Sequence, residues 1–229
     1  MQISSDVRRV GRVFILLVSA LVVLSAQGMR AIDELFQAVR AGYVSDVQRL
    51  VDAGTDVNVR YSNWTLLHCA VEHGHVEVAR RLISAGAYVD ATDERGKTPL
   101  HRAIETGNTG IAQLLVDVGA NVNARNIQGW TLLQRAALRG YTAFVRVLLN
   151  AASADFDTQG GWWGTALHIA AVRENEQIVR ALLTAGADPD VCGFVHTTSL
   201  QAAACFGGRG QARTMRALLE MGASLKGLE

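Results

Sequence analysis

Gly96-Lys97-Thr98-Pro99-Leu100-His101-Arg102-Ala103 decides how this chain is read, because the rest is close to that line written several times. Its frame returns as Thr65-Leu66-Leu67-His68, Thr131-Leu132-Leu133-Gln134, Thr165-Ala166-Leu167-His168 and Thr198-Ser199-Leu200-Gln201. Successive threonines lie 33, 33, 34 and 33 residues apart. Nine residues after the threonine stand Gly74, Gly107, Gly140 and Gly207, each placed to end a short helix. Seventeen residues after it come Leu82-Ile83, Leu115-Val116, Leu148-Leu149 and Leu182-Leu183, on a second helix closed by Gly86, Gly119 and Gly186 in three of the repeats. A fixed period in this range means stacked units, because one helix pair cannot bury its apolar faces alone.

The period and the Thr-Pro-Leu-His line resemble the ankyrin-repeat family from about residue 31 to the end of the chain. The expected fold is all-α: an ankyrin-repeat solenoid of about six helix pairs with projecting β-hairpin or loop fingers. The pairs are placed near 31–58, 60–91, 93–124, 126–157, 159–191 and 193–225. The resemblance implies that each threonine caps the first helix of its repeat. It also implies that His68, His101 and His168 hydrogen-bond the backbone of the neighbouring loop, with Gln134 and Gln201 in the same places. Asp33 stands in for threonine in the first repeat, and aspartate is a good N-cap. Three departures mark irregular places. Glu174 occupies a helix-ending glycine position, so Asn175 is expected to take the left-handed turn. Ala152-Ser153 replace Gly-Ala before a finger one residue longer than the others. Three extra residues lie between the helices of the sixth repeat, around Gly207–Gly210.

Residues 1–28 are of another kind. Arg8, Arg9 and Arg12 precede an apolar run from Val13 to Leu24, and Ser25-Ala26-Gln27-Gly28 follow. Basic start, short apolar middle and small residues in that order read as a secretory signal peptide, cut after Gly28 or, second, after Ala26. The run is short for a membrane span of roughly 20 apolar residues, so an uncleaved anchor is the weaker reading. The other alternative is a cytosolic adaptor translated from Met29. Of 22 basic and 21 acidic residues, 19 and 20 remain after residue 28. A periplasmic or secreted location and a nearly neutral mature protein are therefore expected.

Half the chain is hydrophobic and the formal charge is +1, which argues against disorder and against a nucleic-acid partner. Three scattered cysteines do not make a disulfide scaffold. His73 and His75, beside Glu72 and Glu77, lack a spaced third ligand and belong to an inter-helix turn, so no metal is expected. Gly207–Gly210 could set backbone amides against an anion, but the lysine and hydroxyl of a phosphate loop are missing. Asn63-Trp64-Thr65 matches a glycosylation pattern by coincidence, since Thr65 has a structural use. Neither a catalytic constellation nor a cofactor motif is found, and the chain is expected to be a monomeric, non-enzymatic protein binder.

The partner-binding residues expected are those beside the repeated motif. Trp64, Lys97 and Trp130 precede their threonines and are read as a solvent-facing row. Arg102 and Arg135 follow the motif, where arginine suits carboxylates. Tyr61, Arg95, Ile127, Trp162, Trp163 and Phe194 lie elsewhere in the fingers. Large aromatics in protruding loops bury much area with few rotatable bonds, and in the ankyrin family fingers and inner helices commonly carry the partner. Either of the adjacent Trp162 and Trp163 is equally read as finger-to-finger packing.

Overall fold

The computed structural model describes residues 27–160, 163–193, 197–206, 208 and 210–225. Most of the export-signal segment and the candidate residues Trp162 and Phe194 lie outside them.

Helices dominate. Residues 27–41 form α1. There follow α2 (Val44–Asp52), β1 (Arg60–Tyr61), β2 (Trp64–Thr65), α3 (Leu66–Glu72), α4 (Val76–Ser84), α5 (Pro99–Thr106) and α6 (Thr109–Asp117). The remaining elements are α7 (Leu132–Arg139), α8 (Thr142–Leu149), α9 (Ala166–Val172), α10 (Glu176–Ala185), α11 (Ser199–Phe206) and α12 (Gln211–Glu220). Helices of 7 to 10 residues are too short to persist alone, since isolated helices need roughly 12–15 residues even in favourable sequences. Packing supplies the difference. The odd helices α3, α5, α7, α9 and α11 pack side by side in one row, and the even helices α2 to α12 in a second. One continuous core runs between the rows, from Leu35 to Ala223. Leu66, Leu100, Leu132 and Leu167, near the start of the odd helices, are all fully buried, each contributing about 1.5–3 kcal/mol of hydrophobic stabilisation.

The repeated motif acts as a joint. Thr65 Oγ1 accepts from the amide of His68, and His68 Nδ1 faces Thr65 Oγ1 at 2.9 Å and the Thr65 amide at 3.4 Å. That leaves Nε2–H to donate to the carbonyl of Lys97 in the next finger, at 3.0 Å. His168 repeats the arrangement on Thr197 O at 2.9 Å. At the longer fourth finger the joint is Gln134. Its Oε1 accepts from Thr131 N, and its two-donor amide reaches both Gly160 O and Gly164 O. His101 makes the contacts to Thr98, but its buried Nε2 has no partner among the described residues.

Two expectations are corrected. Asp33 is not an N-cap: α1 already starts by residue 27, and Asp33 lies exposed within it. At the histidine position the first repeat has Phe36, which stacks on Tyr61 with ring centroids 4.0 Å apart, so an apolar contact replaces the hydrogen-bonded joint. In the fifth repeat Glu174 itself, not Asn175, takes the left-handed turn, with φ 58°. Asn175 instead caps α10, its side chain accepting from Ile178 N at 3.1 Å. The strained glutamate is held from outside: its two carboxylate oxygens accept from the amides of Gly208 and Gly210 in the sixth-repeat insertion. The anion facing that glycine-rich loop is therefore the protein's own.

Candidate interaction surface

The second and third fingers are built from local turn chemistry. Asp93 Oδ1 accepts from the amides of Arg95 and Lys97 at 2.8 and 2.9 Å. One repeat later, Asn126 Oδ1 does the same for Gln128 and Trp130, both at 3.0 Å. These side chains fold the finger back so that the following threonine enters its helix. In the first finger the return is a true two-stranded hairpin, pairing Arg60 with Thr65 and Tyr61 with Trp64. Neighbouring fingers are tied by the bond from Ile127 N to Arg95 O, at 3.0 Å.

Behind the tips, the residues flanking the motif form one ion network across three repeats. Glu105 on α5 is its centre. Lys97 Nζ lies 2.6 Å from Glu105 Oε1, Arg102 Nη1 3.2 Å from Oε2, and Arg135 Nη2 3.5 Å from Oε1. Arg102 also meets Glu72 at 3.4 Å and Asp93 at 3.6 Å. Three cations face three carboxylates, so the patch is neutral. The guanidinium of Arg102 stands 4.3 Å from the ring centre of Trp64, and that of Arg135 stands 6.0 Å from that of Trp130. Each arginine thus clamps the tryptophan of the finger that precedes its own helix or the one before.

This changes the reading of the sequence candidates. Trp64, Lys97 and Trp130 are half-buried rather than a solvent-facing row, and Trp130 packs on the core. The Lys97 and Arg102 side chains retain only 14% and 16% of their exposure, because Glu105 draws them inward. The residues that remain open are at the tips: Tyr61 at 43%, Ile127 at 71% and Trp163 at 47%, with Arg95 also exposed. The ion network's acidic half, Glu72, Asp93 and Glu105, was missed by a search for aromatics and cations. Its signal was present, since Glu105 follows Arg102 by three residues on one helix face.

The histidines serve structure. Burial holds the imidazoles of His68 and His168 below their ordinary pKa and brings His101 down to about 4. The neutral form is required, because Nδ1 must accept from the threonine while Nε2–H points outward. Burial likewise pushes the Cys69 thiol up to about 11, so it stays protonated at neutral pH. His73 Nδ1 bonds Cys69 O at 2.9 Å and His75 Nε2 bonds Arg40 O at 3.1 Å, which uses both rings in the turn. Among the described residues, no group of three His, Cys, Asp or Glu is placed to hold a metal ion, and no helix is long and apolar enough to cross a membrane.

Comparisons with known proteins agree with this geometry. A family profile described as "Ankyrin repeats (3 copies)" matches residues 35–126 and 119–192, more than half of the chain. Human protein phosphatase 1 regulatory subunit 27 is 37% identical over 95 residues, which is 41% of this chain and 60% of that protein. The match therefore spans less than two thirds of that relative. Among solved structures, an ankyrin repeat domain from Acinetobacter baumannii AYE is similar with TM-score 0.76 and 29% identity, covering 83% of this chain and 98% of that one. The ankyrin repeat domain of Bcl-3, an IκB protein family member, has TM-score 0.75 and 29% identity over 83% of this chain and 86% of its own.

Proposed function

The chain belongs to the ankyrin-repeat family, and from that premise we propose that it is an exported, non-catalytic protein that binds a partner protein and modulates it. Modulation here covers inhibiting, protecting or scaffolding the partner, in the periplasm or outside the cell. One observation carries the binding reading: large apolar side chains stand open on three of the fingers, at Tyr61, Ile127 and Trp163. Folding does not need them exposed, and a partner would bury them. The ion network behind them holds the finger bases at fixed spacing, so the tips are presented on a preorganised support. The resemblance to a phosphatase regulatory subunit supports a regulatory role of the same general kind.

The export reading rests on Arg8, Arg9, Arg12 and the apolar run that follows. Cleavage after Gly28 would fall in the exposed first turn of α1, upstream of the packed Leu35 and Val39. N-terminal sequencing of protein isolated from cell fractions tests it. A mature chain starting at Met29 or Gln27 in the exported fraction is the expected result. A soluble cytosolic form retaining residues before Ser25, or one whose synthesis starts at Met29, would remove it. For the surface, Ile127→Ser with Trp163→Ser should weaken capture of the partner while leaving the melting temperature unchanged, whereas Tyr61→Ser also removes the stack on Phe36 and should lower it. Trp64→Ala and Arg102→Ala are poorer probes, since both disturb the ion network.

A further inference from the structure

The row of odd helices changes character along the stack. Seven and eight residues beyond the threonine, the second and third repeats carry Glu72-His73 and Glu105-Thr106. The fourth, fifth and sixth carry Leu138-Arg139, Val172-Arg173 and Cys205-Phe206. Because α7, α9 and α11 pack side by side, these pairs are successive steps of one face. Leu138 and Val172 are half-buried, Cys205 is exposed, and Phe206 is 64% exposed.

Among the described residues, the cations beside this strip lack acidic partners. Arg139 is exposed and enters no ion pair among the described residues. Arg173 donates through Nη2 to Leu138 O at 3.4 Å and meets no carboxylate among the described residues. The acid next in sequence, Glu174, has both oxygens committed to Gly208 and Gly210. In the second to fourth repeats, by contrast, Lys97, Arg102 and Arg135 are matched by Glu72, Asp93 and Glu105. One half of the row is thus neutral and satisfied, and the other is apolar with an uncompensated positive edge.

We propose that the face of α7, α9 and α11 takes a segment of another protein that is both apolar and acidic. Aliphatic or aromatic side chains of the segment lie along Leu138, Val172 and Phe206, and its carboxylates meet Arg139 and Arg173. Apolar burial supplies the affinity, and the guanidinium–carboxylate pairs set the direction of the segment. The inference rests on reading the chain as a protein-binding module and adds the chemistry of what it binds.

The test is selection of a random displayed peptide library on the full chain, followed by fluorescence anisotropy with the selected peptides. Selected sequences should combine Asp or Glu with Leu, Ile or Phe. Arg139→Glu with Arg173→Glu should weaken binding roughly tenfold or more, as should Phe206→Ser, with the thermal transition preserved. Arg139→Glu alone, at an exposed site, should do so in part. Bound peptide should protect Cys205 from maleimide while the exposed Cys192, in a finger, stays reactive. Failure to enrich any peptide, enrichment without acidic residues, or binding indifferent to the arginine reversals would overturn the proposal. Peptides released by the Tyr61, Ile127 and Trp163 variants but not by the arginine reversals would overturn it while leaving the finger surface standing.

Discussion

A threonine and a histidine three residues apart do two jobs at once in this molecule. Thr65 starts α3, while His68 points one nitrogen back at that threonine and the other forward to Lys97 O. The arrangement works only for neutral imidazole, since a proton on Nδ1 would face the Thr65 amide donor. His101, held down to about 4 by burial, is protonated in the unfolded chain before the folded one. Its stability contribution is therefore intact above about pH 6.5 and is lost as pH falls towards 4. At pH 5 this linkage costs about 2 kcal/mol for His101, and His68 and His168 act in the same direction. Replacing all three by glutamine, which already serves at Gln134 and Gln201, should flatten the loss of stability between pH 7 and 5 measured by urea unfolding. A pH dependence unchanged by the triple substitution would refute this account.

At the scale of elements, two of the three irregular places are one structure. Glu174 accepts a left-handed backbone that glycine would adopt freely, and its carboxylate clasps the amides of Gly208 and Gly210 in the loop before α12. A Cβ on Gly210 would collide with that carboxylate. Gly210→Ala should therefore cost about 1 kcal/mol in the wild-type chain and much less in a Glu174→Ala background, a coupling that a double-mutant cycle reads directly. Glu105 has the corresponding role among the fingers. Glu105→Gln leaves Lys97, Arg102 and Arg135 crowded around a neutral group and should lower stability by about 1–2 kcal/mol, more than an exposed ion pair. The frame made the helices and fingers legible, because glycine, threonine and leucine recur at fixed offsets. The clasp and the ion network were not legible as such, because their partners are brought together by stacking rather than by spacing along the chain.

For the whole molecule, stability is expected to pass from neighbour to neighbour. Leu167, fully buried near the start of α9, sits in a helix that packs on both α7 and α11. Leu167→Ala should cost about 2–5 kcal/mol and raise hydrogen exchange in both flanking repeats more than in α2 or α4. Uniform exchange along the chain would show a single cooperative block instead. The proposed surfaces are distributed the same way: open side chains on three fingers, and an apolar, positively edged strip on the later odd helices.

The sequence by itself determined the period, the helix pairs and the fingers, and the resemblance implied the joint residues from the second repeat onward. Each of these follows from local chemistry: capping, left-handed glycine, turn-forming Asp and Asn, and apolar spacing. Tertiary structure alone decided which conspicuous side chains are spent on the fold. Trp64, Trp130, Lys97, Arg102 and Arg135 looked like a binding row because the i,i+3 spacing of Arg102 and Glu105 does not by itself show that one carboxylate opposes cations from two repeats. Stacking sets Glu105 and its neighbouring carboxylates among them, and the Coulomb attraction and lost hydration at that meeting draw them inward. Tyr61, Ile127 and Trp163 meet no such partner, and so they remain at the surface.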